Sequence, residues 1–559
     1  MPYDDVLPKS IKEALEKLIL IPTYGERGAG RLLYNLLKMP KEKRLEVIKS
    51  LNEAAEKIKP CVECGLYTEE EICNICASPK RSKRFICVVE EPQDAFAIEK
   101  LERYTGVYHV LGGYLREELN FPEVSELDVV RHYTRLSQLN YAIDTTMVPL
   151  GSCTMKYNPR INEELANLDS FKNIHPTTPK EEAQGTLRLM YELKELLKEI
   201  GGFKEVSLQP AAGAHGELLG LLMILAYHRD RGNTHKNKVL VPDTSHGTNP
   251  ATASLCGFEV ITIKSDEKGE LDWEDFQRNL KDDVACLMIT NPNTLGIFER
   301  KIKKIAEALH RKDALLYMDG ANMNALVGMA RPGDWGVDVM HFNLHKTFST
   351  PHGGGGPGGG AIGVSERLEP YLPVPQVVFN GREYGLEWDR PKSVGKILAF
   401  YGHVGVMLRA FAYILSYGSE IKKVAQYAVL NANYLRHLLK GLLLDPYEGI
   451  PRMHEFVVSA QNLLKHDIKA TDLAKALLEK GFYAPTIYFP LTVREALMIE
   501  PTETEIPQSI ESFAAALKEI IELAQEEPES IKSMPTKTPV RRIKEAEANR
   551  KPVLRASLA

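Results

Sequence analysis

The sequence predicts an α/β protein whose main body is a mostly parallel sheet covered by helices, with a smaller α/β domain behind it. Three observations predict this. Apolar strand-like runs alternate with helical stretches through KVLVPDTSHGTNPATASL, FEVITIKS, ACLMITNPN, ALLYMDGAN and VDVMHFNLHKTF. From about residue 400 onward, helices mix with short strands around HEFVVS and FYAPTIYF. The composition is that of a folded chain, with 26% charged and 44% hydrophobic residues in 559. That length suggests about three or four domains.

Charge excludes some functions. The formal net charge is −5 and the sequence pI is about 6.4, so a general polyanion binder is excluded and any nucleic-acid contact must be local. The longest strongly apolar run, Leu218 to Tyr227, falls far short of the roughly 20 residues that a membrane span needs. The start, MPYDDVLPKSIKEALEK, is charged and lacks the apolar core of a signal peptide. These features predict a cytoplasmic chain without membrane contact.

The elements follow in order. SIKEALEKLILI has apolar residues at helical spacing, with Ser10 as a candidate cap. The break Pro22-Thr23-Tyr24-Gly25 precedes a second helix in GAGRLLYNLLKMP, and KEKRLEVIKSLNEAAEKI reads as a third. Helix, glycine-containing turn, helix suits either a phosphate-facing helix-hairpin-helix or a plain helical hairpin. Lys and Arg exceed Asp and Glu by three over residues 1–60.

Four of the eight cysteines, Cys61, Cys64, Cys73 and Cys76, fall within CVECGLYTEEEICNIC. Two Cys-x-x-Cys knuckles can aim four thiolates at one point and complete a closed tetrahedral shell, which suits structural zinc. Paired disulfides or free thiols are the alternatives. Lys80-Arg81-Ser82-Lys83-Arg84 follows, suited to phosphates or to a solvated loop. FICVVEEP then reads as a buried strand, DAFAIEKLERY as a helix and GVYHVLGG as a second strand and turn.

IPTYGERGAGRLLYNLL, the cysteine knuckles, VVEEPQDAFAIE and GVYHVLGG together resemble the recombination mediator family RecR over residues 1–114. The resemblance implies a helix-hairpin-helix, a zinc finger, the opening of a Toprim domain and a weak DNA contact. The turn departs from the Pro-Gly-Ile-Gly of that family. No Asp-x-Asp motif follows in residues 114–150, so the Toprim-like unit reads as partial, and Glu90, Glu91 and Asp94 lack acidic partners.

Three further features carry chemistry. Gln209-Pro210-Ala211-Ala212-Gly213-Ala214-His215-Gly216-Glu217 places small residues at the opening of the helix LLGLLMILAYH, which suits a phosphate. Asp319 ends the apolar strand of Tyr317-Met318-Asp319-Gly320-Ala321-Asn322. Lys346 follows another strand in Asn343-Leu344-His345-Lys346-Thr347, ahead of HGGGGPGGGAIGV. A pyridoxal phosphate enzyme needs a lysine for the Schiff base, a carboxylate for the ring nitrogen and a helix start for the phosphate. Asp319 and Lys346 lie 27 residues apart, one strand step along a sheet edge. Taken singly, such an Asp, Lys, His or glycine run is more often structural.

PLGSCTMKYNP, AGAHGE, DTSHGTNPA, TNPNTLGIFE, DGANMNA, FNLHKTFSTPHGGGGPG and MIEPTETE resemble the glycine-cleavage-system P-protein family over residues 116–559, and its second-subunit form most of all. The resemblance implies the aminotransferase-like fold type I of pyridoxal enzymes and the decarboxylation of glycine. It implies transfer of the aminomethyl group to the lipoyl arm of H-protein, which reduces the lipoyl disulfide and makes the chain an oxidoreductase. It also implies a partner, P-protein subunit 1, with two copies of each chain. Lys346 becomes the Schiff-base lysine, Asp319 the ring-nitrogen partner, and His215 the ring stacked on the cofactor. Gly213, Ala214 and Gly216 form the phosphate cradle, with Thr347 nearby. His345 becomes a proton-transfer candidate. Ser152, Cys153, Thr154, His175, His246, Asn249, Thr290 and Asn291 are further candidates for the mouth or for orientation, with structural hydrogen bonding as the alternative.

The expected domains are a helix-hairpin-helix-like segment over 1–58, a zinc finger over 59–82 and a partial Toprim-like unit over 83–114. A pyridoxal-binding large domain over 115–398 and a small domain with tail over 399–559 follow. Two other functions stay open: a DNA-repair accessory protein with a non-catalytic scaffold, and another fold type I enzyme such as an aminotransferase.

Overall fold

In the computed structural model, residues 7–20, 26–100, 104–111, 124–351, 353 and 358–554 are described. The turn Pro22–Gly25, Gly112-Gly113 and most of the glycine run after His352 lie outside them. The chain forms two compact units, Met1–Val129 and Val130–Ala559. No helix among the described residues is long and apolar enough to cross a membrane.

The first unit opens with helices Lys9–Ile19, Glu26–Lys38 and Lys41–Lys57. Pro8 occupies the N-cap of the first, so Ser10 lies inside the helix rather than capping it. A proline fits there because the missing N–H would have no helical partner. Strands β1 (Lys59–Pro60) and β2 (Tyr67–Thr68) pair antiparallel and carry the cysteine knuckles between and after them. Strand β3 (Ser82–Val89) pairs in parallel with β4 (Gly106–Val110). The helix between them, Pro92–Glu99, starts with Pro92 at N1, and the Asp94 side chain accepts from the Glu91 N–H at 3.0 Å.

The sequence predicts a buried β3, and the structure differs. Phe85, Ile86 and Val88 are exposed, and only Val89 is buried. A two-stranded sheet has one covered face, so an apolar run is not enough to bury the other. Among the described residues, the apolar cluster of this unit has nine buried members, of which four are the cysteines.

The second unit is built on a seven-stranded sheet. Its strands are β5 (Glu205–Ser207), β6 (Lys238–Pro242), β7 (Glu259–Ile263), β8 (Val284–Thr290), β9 (Leu315–Gly320), β10 (Val339–Asn343) and β11 (Gly360–Val364), in the order β5-β11-β10-β9-β8-β6-β7. The five from β10 to β7 run parallel, and β11 is antiparallel to both its neighbours. β8, β9 and β10 are buried at every position, as expected of parallel strands covered on both faces.

Helices Gln184–Gly201, Val404–Tyr417 and Ile302–Arg311 contribute to the apolar cluster on one side, and helix Gly213–Asp230 to the cluster on the other. That last helix lies very close to the sheet. A Cβ at Gly216 would stand 2.6 Å from His341 Cβ, and one at Gly220 would stand 2.4 Å from the Tyr317 ring. Beyond the hairpin β12 (Gln376–Phe379) and β13 (Tyr384–Glu387), the chain forms a smaller antiparallel sheet. It consists of β14 (Phe456–Ser459), β15 (Thr486–Ile487) and β16 (Ala496–Ile499), with β16 in the middle. Helices Lys422–Leu438, Ala470–Glu479 and Pro507–Glu526 pack with this sheet in one core.

Candidate active site and four-cysteine cluster

Cys61, Cys64, Cys73 and Cys76 are all buried, and one sulfur from each lies within 4.8 Å of the others. Cys64 Sγ and Cys73 Sγ are 3.5 Å apart. Four thiolates around zinc at 2.3 Å stand about 3.8 Å from one another, so the cluster has the right size. The backbone points donors at the sulfurs: the Cys73 N–H donates to Cys61 Sγ at 3.2 Å, and the Cys76 N–H to Cys73 Sγ at 3.5 Å. The basic stretch beyond is partly engaged within the fold. Arg81 donates to Glu99 at 2.9 Å and to the Tyr104 carbonyl at 2.8 Å, and Lys83 pairs with Glu63 at 3.6 Å.

The second centre lies at the carboxyl ends of β9 and β10, where open α/β sheets bind ligands. A cavity of about 520 Å³ there is lined by Lys346, Asp319, Gly213, Ala214, His345 and Ser152, together with His246, His341, Asn343 and others. Lys346 follows β10, and its Nζ donates to the Ser152 carbonyl at 2.7 Å.

Asp319 sits on β9 beside His341 in the parallel register. It is buried, and its four acceptor positions meet four donors. Oδ2 accepts from His246 Nδ1 at 2.8 Å and from Asn249 Nδ2 at 3.0 Å. Oδ1 accepts from the Ala321 N–H at 2.8 Å and lies 3.2 Å from His341 Nε2. Burial would raise the Asp319 pKa, but the adjacent His246 and His341 imidazoles outweigh it and hold the carboxyl well below the usual range. Burial lowers the pKa of His341, and the Asp319 carboxylate more than reverses that, so the net shift is upward. Glu217, which also lines the cavity, accepts from the Thr248 and Thr252 hydroxyls at 2.8 and 3.0 Å. Burial and then Asp319 push its pKa up.

The cradle predicted at the helix start has a physical basis. A Cβ at Gly213 would fall 2.1 Å from Asn343 Oδ1, an oxygen that is itself buried without a hydrogen-bond partner. Only glycine lets the helix start pack this closely on Asn343, and Gly213 and Ala214 line the cavity, so the N-terminal N–H groups of the helix stand at the cavity wall.

The remaining candidates divide. His246 joins the network through Ser152, whose Oγ is 2.7 Å from its Nε2. Thr290 accepts from the His246 N–H at 3.1 Å and donates to Asn249 at 3.3 Å. His345 Nδ1 lies 3.1 Å from the Gly359 carbonyl. His215, Gly216, Asn291 and Thr347 are not among the residues lining the cavity. His215 Nδ1 accepts from the Ala211 N–H at 3.2 Å, and burial lowers its pKa. Gly216 faces His341. Asn291 Oδ1 accepts from the Glu299 N–H at 3.0 Å, and its Nδ2 is a buried donor without a partner. Thr347 is buried.

Its carbonyl accepts from Lys156 Nζ at 2.7 Å, and that buried ammonium also pairs with Glu503 at 2.6 Å and donates to Asn324 at 2.9 Å and Tyr413 at 3.1 Å. Burial raises the pKa of Cys153. His175 is also outside the lining, with Nδ1 2.6 Å from the Thr177 hydroxyl.

His341, Glu217 and Asn343 were missed by sequence reasoning. His341 and Asn343 alternate within VMHFN, and only the parallel pairing of β10 with β9 tells which of them meets Asp319.

Comparison with known proteins bears on this arrangement. Residues 113–385 match the family model of the glycine cleavage system P-protein, and residues 424–544 that of the glycine dehydrogenase C-terminal domain. Residues 58–78 match the four-cysteine zinc finger domain of RecR, and residues 84–132 the Toprim domain. A probable glycine dehydrogenase (decarboxylating) subunit 2 from Aquifex aeolicus is 70% identical over 442 residues, covering 79% of this chain and 92% of that protein. Its counterpart from Thermotoga maritima is 52% identical, covering 78% of this chain and 91% of its own length.

Among solved structures, an inhibitor-bound glycine decarboxylase (P-protein) aligns with a TM-score of 0.61 at 21% identity, covering 77% of this chain and 95% of that one. A NifS-like protein aligns at 0.53 and 16%, covering 68% and 100%. The architecture of the second unit is the fold type I of pyridoxal enzymes. With a sheet-edge lysine, a buried carboxylate beside it and this degree of identity, the chain belongs to the glycine cleavage system P-protein family, in its subunit 2 branch.

Proposed function

We propose that this chain decarboxylates glycine with pyridoxal 5'-phosphate held in the Lys346–Asp319 cavity, and passes the aminomethyl group to the lipoyl arm of H-protein with release of carbon dioxide. The observation that carries the reading is that Lys346 and Asp319 line one cavity at the carboxyl ends of adjacent parallel strands. When bound, the cofactor supplies a protonated ring that takes up the electron pair left by departing carbon dioxide.

The chain's own residues do the rest. Lys346 provides the amine that anchors the cofactor, and the Ser152 carbonyl orients it. Gly213, Ala214 and Gly216 open the helix whose N–H groups hold the phosphate. Asp319, kept anionic by two imidazoles, would pair with the cofactor's ring nitrogen and keep it protonated. His215 is the proposed stacking ring, and His345, beside the lysine, holds or moves a proton at its ring nitrogens. Asn291, through its orphan Nδ2, and Thr347 are proposed to support the cofactor site from behind the residues that line it.

The proposed partners are P-protein subunit 1, in two copies of each chain, and lipoylated H-protein. Zinc is the proposed occupant of the four-cysteine cluster. For residues 1–114, exposed Lys80 and Arg84 support a weak, salt-dependent contact with DNA phosphates. The proposed domains keep the boundaries at 58, 82, 114 and 398.

Exchange of labelled bicarbonate into glycine, with H-protein and subunit 1 present, tests the reaction. Exchange that disappears in Lys346→Ala supports it, and exchange that persists there rejects it.

A further inference from the structure

The loop that carries Ser152 is fastened to the smaller sheet. The Gly151 N–H donates to the Met498 carbonyl at 3.2 Å, and the Thr486 hydroxyl donates to the Gly151 carbonyl at 2.8 Å. Leu150 forms a bridge with Ile499. A Cβ on Gly151 would stand 2.3 Å from Met498 Cγ and 2.6 Å from its carbonyl oxygen, so the loop lies directly on β16.

Two fully buried carboxyl groups reach the same loop. The Ser152 N–H donates to Glu455 Oε2 at 2.7 Å, and the Thr154 hydroxyl to Glu500 Oε1 at 2.5 Å. The other Glu455 oxygen accepts from the Asn322 amide at 3.1 Å.

Ser152 stands at φ 64°, the left-handed region that a residue with a side chain adopts only when its surroundings hold it there. Its three polar groups meet three different partners. The N–H is held by Glu455, the carbonyl receives Lys346 Nζ, and the hydroxyl meets His246, whose other nitrogen reaches Asp319. The amine and the carboxylate of the site are thus tied to one residue whose backbone is set from the smaller sheet.

We propose that Glu455 is a positioning residue for Lys346. By accepting the Ser152 N–H it fixes that backbone so that the Ser152 carbonyl holds the lysine amine whenever the amine is not joined to the cofactor. The proposal rests on the reading of Lys346 as the Schiff-base lysine. Without the acceptor, the Ser152 N–H is left buried and unsatisfied, the loop turns away, and the four-carbon lysine stem recovers its rotamers.

The test is capture of the cofactor by the full-length chain, assembled with subunit 1, stripped and then given pyridoxal 5'-phosphate. Capture is condensation of the lysine amine with the aldehyde, water leaving. It is followed by the near-visible absorbance and by borohydride fixation mapped by mass spectrometry.

Glu455→Met keeps the length and removes the acceptor, and is expected to slow capture about tenfold or more. Glu455→Gln keeps one acceptor oxygen for the Ser152 N–H, loses the Asn322 contact, and is expected to capture at least about threefold faster than the Met variant. Glu455→Asp keeps the charge but falls one methylene short, and is expected to be slow like the Met variant. Capture at the parent rate in Glu455→Met overturns the proposal. So does a Gln variant as slow as Met, because charge rather than acceptance would then matter. If Glu455→Met does not fold, by circular dichroism, an Asp variant at the parent rate overturns it and a slow one supports it. Cofactor still fixed in Lys346→Ala would instead overturn the lysine assignment, and the proposal with it.

Discussion

Around Cys61, Cys64, Cys73 and Cys76 the chain has, among the described residues, a small cluster with only five other buried side chains, whereas around Asp319 and Lys346 it has a seven-stranded sheet with apolar layers on both faces. The first centre is local: its ligands fall within sixteen residues, and two-residue strands suffice to shape it. The second is assembled from the ends of β9 and β10, the loop after β6, the start of helix Gly213–Asp230 and loops far apart in sequence. A local centre with a small core depends on what it binds for its folding. A centre carried by a sheet is in place before any ligand arrives, and its ligand adds function more than structure. The comparison teaches where each centre should fail when its chief residue is removed.

The largest expected effect falls on chemistry alone. Lys346→Ala is expected to lower glycine–bicarbonate exchange by at least about 10³-fold and to abolish the near-visible absorbance, while thermal unfolding stays close to the parent's. A large loss of stability would break the contrast, because the lysine would then be structural.

Removing metal from the first centre should do the reverse. Chelation, or Cys64→Ser, is expected to destabilise the first unit by several kcal/mol, read as fast amide exchange across residues 58–110. All three tryptophans, Trp273, Trp335 and Trp388, lie in the second unit. Their fluorescence and the cofactor band are therefore expected to stay unchanged.

Asp319→Asn probes where the two kinds of effect meet. It removes the charged acceptor that His246, Asn249, His341 and the Ala321 N–H share in a buried site, and a loss of about 3 kcal/mol is expected in urea denaturation followed by tryptophan fluorescence.

A smaller effect comes from pH. Burial first, then Lys346 and His246, push the pKa of the fully buried His454 down to about 3. In the unfolded chain an imidazole titrates near about 6.5. Between these values the unfolded state binds the extra proton, so stability falls as pH drops from about 6.5 towards 3. The contribution reaches about 2 kcal/mol at pH 5, and His454→Asn is expected to flatten the urea midpoint between pH 7 and pH 5 by that amount. An unchanged slope would assign the acid sensitivity to other groups. The smallest expected effect is that of Gly213→Ala, whose new Cβ crowds Asn343 and should weaken cofactor binding about tenfold.

The contrast also explains what was legible in the sequence. The cysteine spacing could be read directly, because knuckle geometry is set within a few residues. Asp319 and Lys346 could be read from their places after apolar runs, and the helix start from its small residues. His341, Glu217 and Asn343 could not, because each acquires its place through strand pairing or helix crossing that no local pattern encodes. Ser10 and the exposed β3 show the same limit in smaller form: a good cap residue lost to a proline two positions earlier, and an apolar run with nothing laid over its second face.

Lys156 and Glu503 form a buried ion pair whose ammonium also braces the Thr347 carbonyl, one residue past Lys346. A chain cut short before that glutamate would leave a buried cation without its paired carboxylate, beside the loop that carries Lys346. Shortening the chain from its C-terminal end as far as Glu503 therefore strips the counter-charge from beneath the loop that carries Lys346.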